Sequence, residues 1–233
     1  MAEPIPILLV PGLSCSPRLY APQLAPLWRF GPVTVADHTR DETIAAIATR
    51  ILAAAPPRFA LAGLSMGGYI AFEIVRQAPD RVLRLALLDT SARPDTQEAT
   101  EMRHQRMAMA EAGKLAEVAD ALFPFLVHPR RRDDEALCRI HRTMTLELGP
   151  AVFVRQQNAI IGRIDSRPTL PAVRCPTLVL VGDADQLTPP ALAQEMAAGI
   201  ADAALVVVPE CGHASTLEQP EAVTAALVEW LEG

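Results

Sequence analysis

A serine with glycine two places to either side, Gly63-Leu64-Ser65-Met66-Gly67, is the strongest chemical signal in the chain. Lying between an apolar run and an amphipathic one, it describes a nucleophile on a sharp strand-to-helix turn, where a strained backbone pushes the hydroxyl into the open. Side chains at the flanking positions would collide with the neighbouring strand and helix. Gly63 and Gly67 remove those collisions, and Gly68 is expected to add slack. Because a serine hydroxyl is a weak nucleophile at neutral pH, a base must sit within hydrogen-bond reach, and histidine suits that task best.

Five histidines are candidates. His104, His128 and His141 fall in a long stretch without strand signals, where surface or packing roles are expected, and His38 lies one strand further from Ser65. His213 follows the last predicted strand in Cys211-Gly212-His213-Ala214-Ser215, whose small residues leave an imidazole room to turn, and is the candidate base. Its orienting carboxylate should come from Gly182-Asp183-Ala184-Asp185, with Asp185 preferred. Asp183 could instead bind backbone N–H groups and shape the turn, and Asp89, at the end of the fourth predicted strand, is a third option.

These residues need a frame that brings distant loops together. Apolar runs at 5–10, 32–36, 59–64, 82–88, 177–181 and 204–208 read as strands, mostly continuous rather than alternating, which predicts a parallel sheet covered on both faces. Helical segments at 43–54, 66–77, 190–198 and 220–231 separate or follow them, so the pattern is α/β, doubly wound and mostly parallel. Between residues 92 and 171 the alternation stops and helix-like pieces rich in Ala, Met, Arg and Glu take over. The expected division is a core of residues 1–91 and 172–233 with a helical cap, or lid, at 92–171 over the strand ends.

If the third strand lies beside the first, the loops after both meet at the switch point of the sheet. An acyl-transfer enzyme needs two backbone N–H groups aimed at the developing oxyanion, and Leu13 and Met66 are placed to supply them. Met66 would open a helix, where its N–H has no partner within the helix. Gly12 is expected to let the first loop approach closely.

Four pieces together resemble the α/β-hydrolase family: Leu9-Val10-Pro11-Gly12-Leu13, the Ser65 turn with Gly68, Gly182-Asp183-Ala184-Asp185 with Pro189, and Gly212-His213 with Glu218 and Pro220. The resemblance covers nearly the whole chain outside the insertion, places the family's usual acid on Asp185, and is nearest to small capped esterases, enol-lactone hydrolases and carbon–carbon hydrolases. Two departures stand out: Pro11 where many relatives carry histidine, and Asp37-His38-Thr39-Arg40 where a glycine-rich loop is common. The resemblance implies a serine hydrolase cleaving an ester, lactone or thioester of a small to medium, partly apolar substrate through an acyl-enzyme. Cleavage of a carbon–carbon bond in a keto-dienoate, or ligand binding without catalysis, are the alternatives. Arg139, Arg142, Arg155 and Arg163 are candidates for holding a substrate carboxylate.

At 233 residues and 50% hydrophobic content, one main core is expected. A formal net charge of -6 argues against nucleic acid or an anionic membrane as partner, leaving a small-molecule substrate. The mechanism needs no metal or organic cofactor, and nothing in the chain specifies an oligomeric state. Four scattered cysteines without metal spacing, no basic leader in Met1-Ala2-Glu3-Pro4 and no membrane-length apolar run predict a soluble, cytoplasmic protein.

Overall fold

The computed structural model describes residues 4–233; the leader reading of Met1-Ala2-Glu3 lies outside the described residues. Its centre is a six-stranded sheet in which every pairing is parallel. The strands are β1 (Ile7–Val10), β2 (Val33–Val35), β3 (Phe59–Leu64), β4 (Val82–Leu88), β5 (Thr177–Gly182) and β6 (Ala203–Val208), in the spatial order β2-β1-β3-β4-β5-β6. The order reverses between β1 and β3, as the switch-point reading requires, and parallel pairing puts every loop that follows a strand on one edge.

Alternation along each strand explains the layers. Leu8 and Val10 of β1 point into one core with α2 (Ile44–Ala54), α3 (Met66–Gln77) and α7 (Pro190–Gly199), while Ile7 and Leu9 point into a second with α1 (Ala21–Leu27) and α9 (Pro220–Glu232). Strand β6 departs from the doubly covered expectation. It is the edge of the sheet, and Leu205 and Val207 remain 37% and 44% exposed. Helix α1 lies outside the helical segments read from the sequence; it tolerates Pro22 in its first turn, where no backbone donor is lost.

Between β4 and β5 lie α4 (Gln97–Glu111), α5 (Leu115–Leu126) and α6 (Glu135–Ile161). Side chains cap two of them: Thr96 Oγ1 accepts from Ala99 N at 3.1 Å, and Asp134 Oδ1 accepts from Ala136 N and Leu137 N, each at 3.0 Å. Gly149, at φ 78° and ψ 172°, kinks α6 just before Pro150. A short helix α8 (Ser215–Glu218) links the loop after β6 to α9. Among the described residues, no helix is long and apolar enough to cross a membrane.

Candidate active site

Ser65 joins β3 to α3 with φ 55° and ψ −114°, a left-handed conformation that serine rarely adopts. Contacts on every side impose it. Ser65 N donates to Leu88 O at 2.9 Å, and Thr90 Oγ1 donates to Ser65 O at 2.7 Å. A Cβ on Gly63 would lie 2.2 Å from Gly67 O, and one on Gly67 would lie 2.0 Å from Val10 O, so backbone crosses backbone at both places. Gly68 provides no slack, since a Cβ there would meet Thr90 Oγ1 at 2.3 Å. Gly12 differs from expectation as well: a Cβ would reach Leu64 O and Ser65 Cβ at 3.4 Å, ordinary contact rather than collision.

The loop after β1 is held from behind by two side chains that sequence reasoning missed. His38 Nε2 lies 2.9 Å from Gly12 O, and Ser14 N donates to Gln156 Oε1 at 2.9 Å. Burial draws the His38 pKa below the usual histidine value, against the pull of the Gly12 carbonyl, so the neutral ring donates from Nε2. The Leu13 N–H has no protein acceptor among the described residues, and Met66 opens α3 where its N–H lacks an intrahelical partner.

His213 is buried, and its Nδ1 lies 2.8 Å from Asp185 Oδ2. The other oxygen, Asp185 Oδ1, accepts from Leu187 N at 2.8 Å and Thr188 N at 2.9 Å, while Thr188 Oγ1 donates to Oδ2 at 2.7 Å. Thr188 is therefore a further member of the cluster, readable in sequence only as a residue three places after an aspartate. Burial pushes the Asp185 pKa up, but the facing His213 and these donors outweigh it and hold the carboxyl below its usual range. For His213, burial disfavours the charged ring, yet Asp185 more than compensates and raises its pKa.

The two other carboxylate candidates do not touch His213. Asp183 Oδ1 accepts from Cys211 N at 3.0 Å and shapes the turn. Asp89 Oδ1 accepts from Gly182 N at 3.0 Å, and its Oδ2 bonds Ser215 Oγ; burial and then the charge of Asp185 lift its pKa far above the carboxylate range. The small residues around His213 serve close packing rather than ring rotation. A Cβ on Gly212 would lie 2.4 Å from the Val127 carbonyl carbon, and Glu218 accepts from both Gly212 N and His128 N.

Ser65, His213, Leu13 and Thr188 open onto one cavity of about 350 Å³. Its far wall comes from α4, α5 and α6, including Met102, Phe123, Met144 and Phe153. His141 lines it too, contrary to a surface role; burial pushes its pKa down to about 4, and both ring nitrogens lack protein partners among the described residues. His104 is exposed, and His128 Nδ1 accepts from Arg130 N at 3.2 Å. None of the four arginines expected at a substrate carboxylate lines the cavity. Arg142 pairs with Asp120, Arg155 Nε donates to Thr39 O at 3.0 Å, Arg163 pairs with Asp95 at 2.8 Å, and Arg139 is exposed. Among the described residues, no group of three or more His, Cys, Asp or Glu side chains could hold a metal ion.

Comparison with known proteins identifies the family. A model of the alpha/beta hydrolase family matches residues 7–226. An esterase from Thermogutta terrifontis, solved with malate bound, superposes with a TM-score of 0.89 at 32% identity, covering 100% of this chain and 91% of that one. The enol-lactonase from Burkholderia xenovorans LB400 superposes with a TM-score of 0.88 at 25% identity, covering 100% of this chain and 93% of that one. A pimeloyl-[acyl-carrier protein] methyl ester esterase from Aromatoleum aromaticum (strain DSM 19018 / LMG 30748 / EbN1) is 26% identical over 212 residues, 83% of this chain and 82% of its own. With a family model spanning nearly all of its length, the chain belongs to the alpha/beta hydrolase family and is a hydrolase.

Proposed function

We propose that the chain is a serine hydrolase cleaving a carboxylic ester, lactone or thioester of a small to medium, partly apolar substrate. The observation that carries this reading is the 2.8 Å contact between His213 Nδ1 and Asp185 Oδ2 on the cavity that Ser65 also lines. With Nδ1–H donated to the carboxylate, Nε2 keeps its lone pair and takes the Ser65 proton as Oγ attacks the carbonyl carbon. The N–H groups of Leu13 and Met66 hold the oxyanion, and the Ser65 turn keeps both rigid. His213 then gives the proton to the departing alcohol, leaving an acyl group on Ser65. A water deprotonated by His213 attacks that acyl group, and collapse returns Ser65 and the free acid.

Every step uses groups of the chain, so no metal or organic cofactor is called for. Residues 92–171 act as a cap that covers the reacting centre and selects the substrate, in keeping with the three helices that complete the cavity. Ester and lactone cleavage in similarly folded relatives supports the reaction class. A reducing compartment such as the cytoplasm suits the free Cys15, Cys138, Cys175 and Cys211.

A fluorophosphonate probe tests the proposal directly. Wild type should be labelled and should hydrolyse simple aryl esters, and Ser65→Ala should do neither. Absence of label on the folded wild type would overturn it.

A further inference from the structure

The cavity carries charge of one sign. Among the described residues no Asp or Glu lines it, although the chain as a whole has a formal net charge of -6; Arg103 and Arg106, both on α4, do line it. Arg103 is answered by the protein, since its Nε donates to Asp95 Oδ2 at 3.0 Å and its Nη1 to Gln157 Oε1 at 2.9 Å. Asp95 is itself shared with Arg163. Arg106 has no hydrogen-bond or ion-pair partner among the described residues, yet it is partly buried. Burial, and then the charge of Arg103 one helical turn away, both disfavour its protonated form.

A half-buried arginine that faces a largely apolar cavity and has no protein partner among the described residues keeps its guanidinium donors available to a ligand. We propose that Arg106 is the subsite for a carboxylate on the substrate, so that the preferred ester, lactone or thioester carries a free acid group; this rests on the serine-hydrolase reading above. The planar guanidinium fork matches the two oxygens of a carboxylate. Apolar lining such as Leu122, Met144 and Phe153 suits a hydrocarbon body between the acid group and the reacting carbonyl.

The test uses matched aryl esters with and without a carboxylate: mono-4-nitrophenyl adipate against 4-nitrophenyl hexanoate, and 4-acetoxybenzoate against phenyl acetate. In wild type, kcat/KM should favour the anionic member of at least one pair by tenfold or more, mainly through KM. Arg106→Gln should collapse that ratio by tenfold or more, and Arg106→Lys should restore part of it. No anionic preference in either pair, or a ratio unaltered in Arg106→Gln, overturns the subsite. Should the fluorophosphonate label be absent, the serine reading fails separately, and calorimetric binding of adipate still decides: binding lost in Arg106→Gln supports the subsite, and equal binding overturns it.

Discussion

The strand ends with the turns that follow them, and the helices above, use glycine for opposite reasons. At Gly63, Gly67, Gly182 and Gly212 an added Cβ would lie 2.0 to 2.4 Å from backbone atoms of another segment, so glycine supplies space. At Gly149 in α6 nothing lies within 4 Å of the added carbon, and glycine supplies a torsion instead, φ 78° with ψ 172°. Backbone-on-backbone contacts cannot yield without moving the sheet, whereas a torsional kink in a helix over open space can relax. The frame that holds Ser65, Asp185 and His213 is over-determined, and the wall that faces them is adjustable.

The largest expected effect lies within the rigid region. Replacing Asp185 by Asn should lower kcat/KM by about 10⁴-fold, because the amide presents a donor where the ring needs an acceptor and so favours the wrong tautomer. Asp183→Asn should cost far less, since Asp183 meets only backbone at Cys211 N. Equal losses in the two variants would place the orienting acid elsewhere. The pH profile sharpens the same contrast. Burial alone would hold His213 neutral, but Asp185 raises its pKa, so the rate at the chemical step should fall as pH drops and reach half its plateau above the unperturbed value of about 6.5. A flat profile, or a half-point well below that value, would count against His213 as the base.

Next in size is the space that glycine provides. Gly67→Ala drives a Cβ to 2.0 Å from Val10 O, a backbone atom of the central strand. A loss of about 3 kcal/mol in stability is expected from overpacking with no flexible neighbour to yield, read from the urea midpoint. The fluorophosphonate-reactive fraction should fall with it. A Gly67→Ala variant as stable and reactive as wild type would show that the strand and turn move more freely than their contacts imply.

The same contrast explains what sequence could and could not reveal. Six strand positions and the serine, aspartate and histidine candidates were legible because each signal is local: an apolar run, a glycine pair, or an acid and a histidine each just past a run. His38, Gln156, Thr188 and Arg106 were not, because their roles come from what the fold places opposite them. Gln156 meets Ser14 across 142 residues, and His38 meets Gly12 across 26. Arg142, Arg155 and Arg163, read as carboxylate ligands, failed for that reason; residue type marks a cation, but only the fold shows that Asp120, a backbone carbonyl or Asp95 has already engaged it. The continuous apolar run of β6 misled in another way. Continuity signals two covered faces only for a strand with neighbours on both sides, and β6 has one.

The smallest stability change is expected at the adjustable wall. Gly149→Ala introduces no clash, so its cost is torsional, about 1–2 kcal/mol for an L-residue in a region nearly exclusive to glycine. Because α6 can shift about this kink to relieve it, part of the strain should appear as altered substrate preference rather than as lost stability. KM across a series of aryl esters of increasing acyl length should shift, while fluorophosphonate labelling of Ser65 stays near the wild-type rate. A variant with unchanged KM values but slower labelling would reverse the assignment, placing the kink in the frame that holds the nucleophile and not in the wall that faces it.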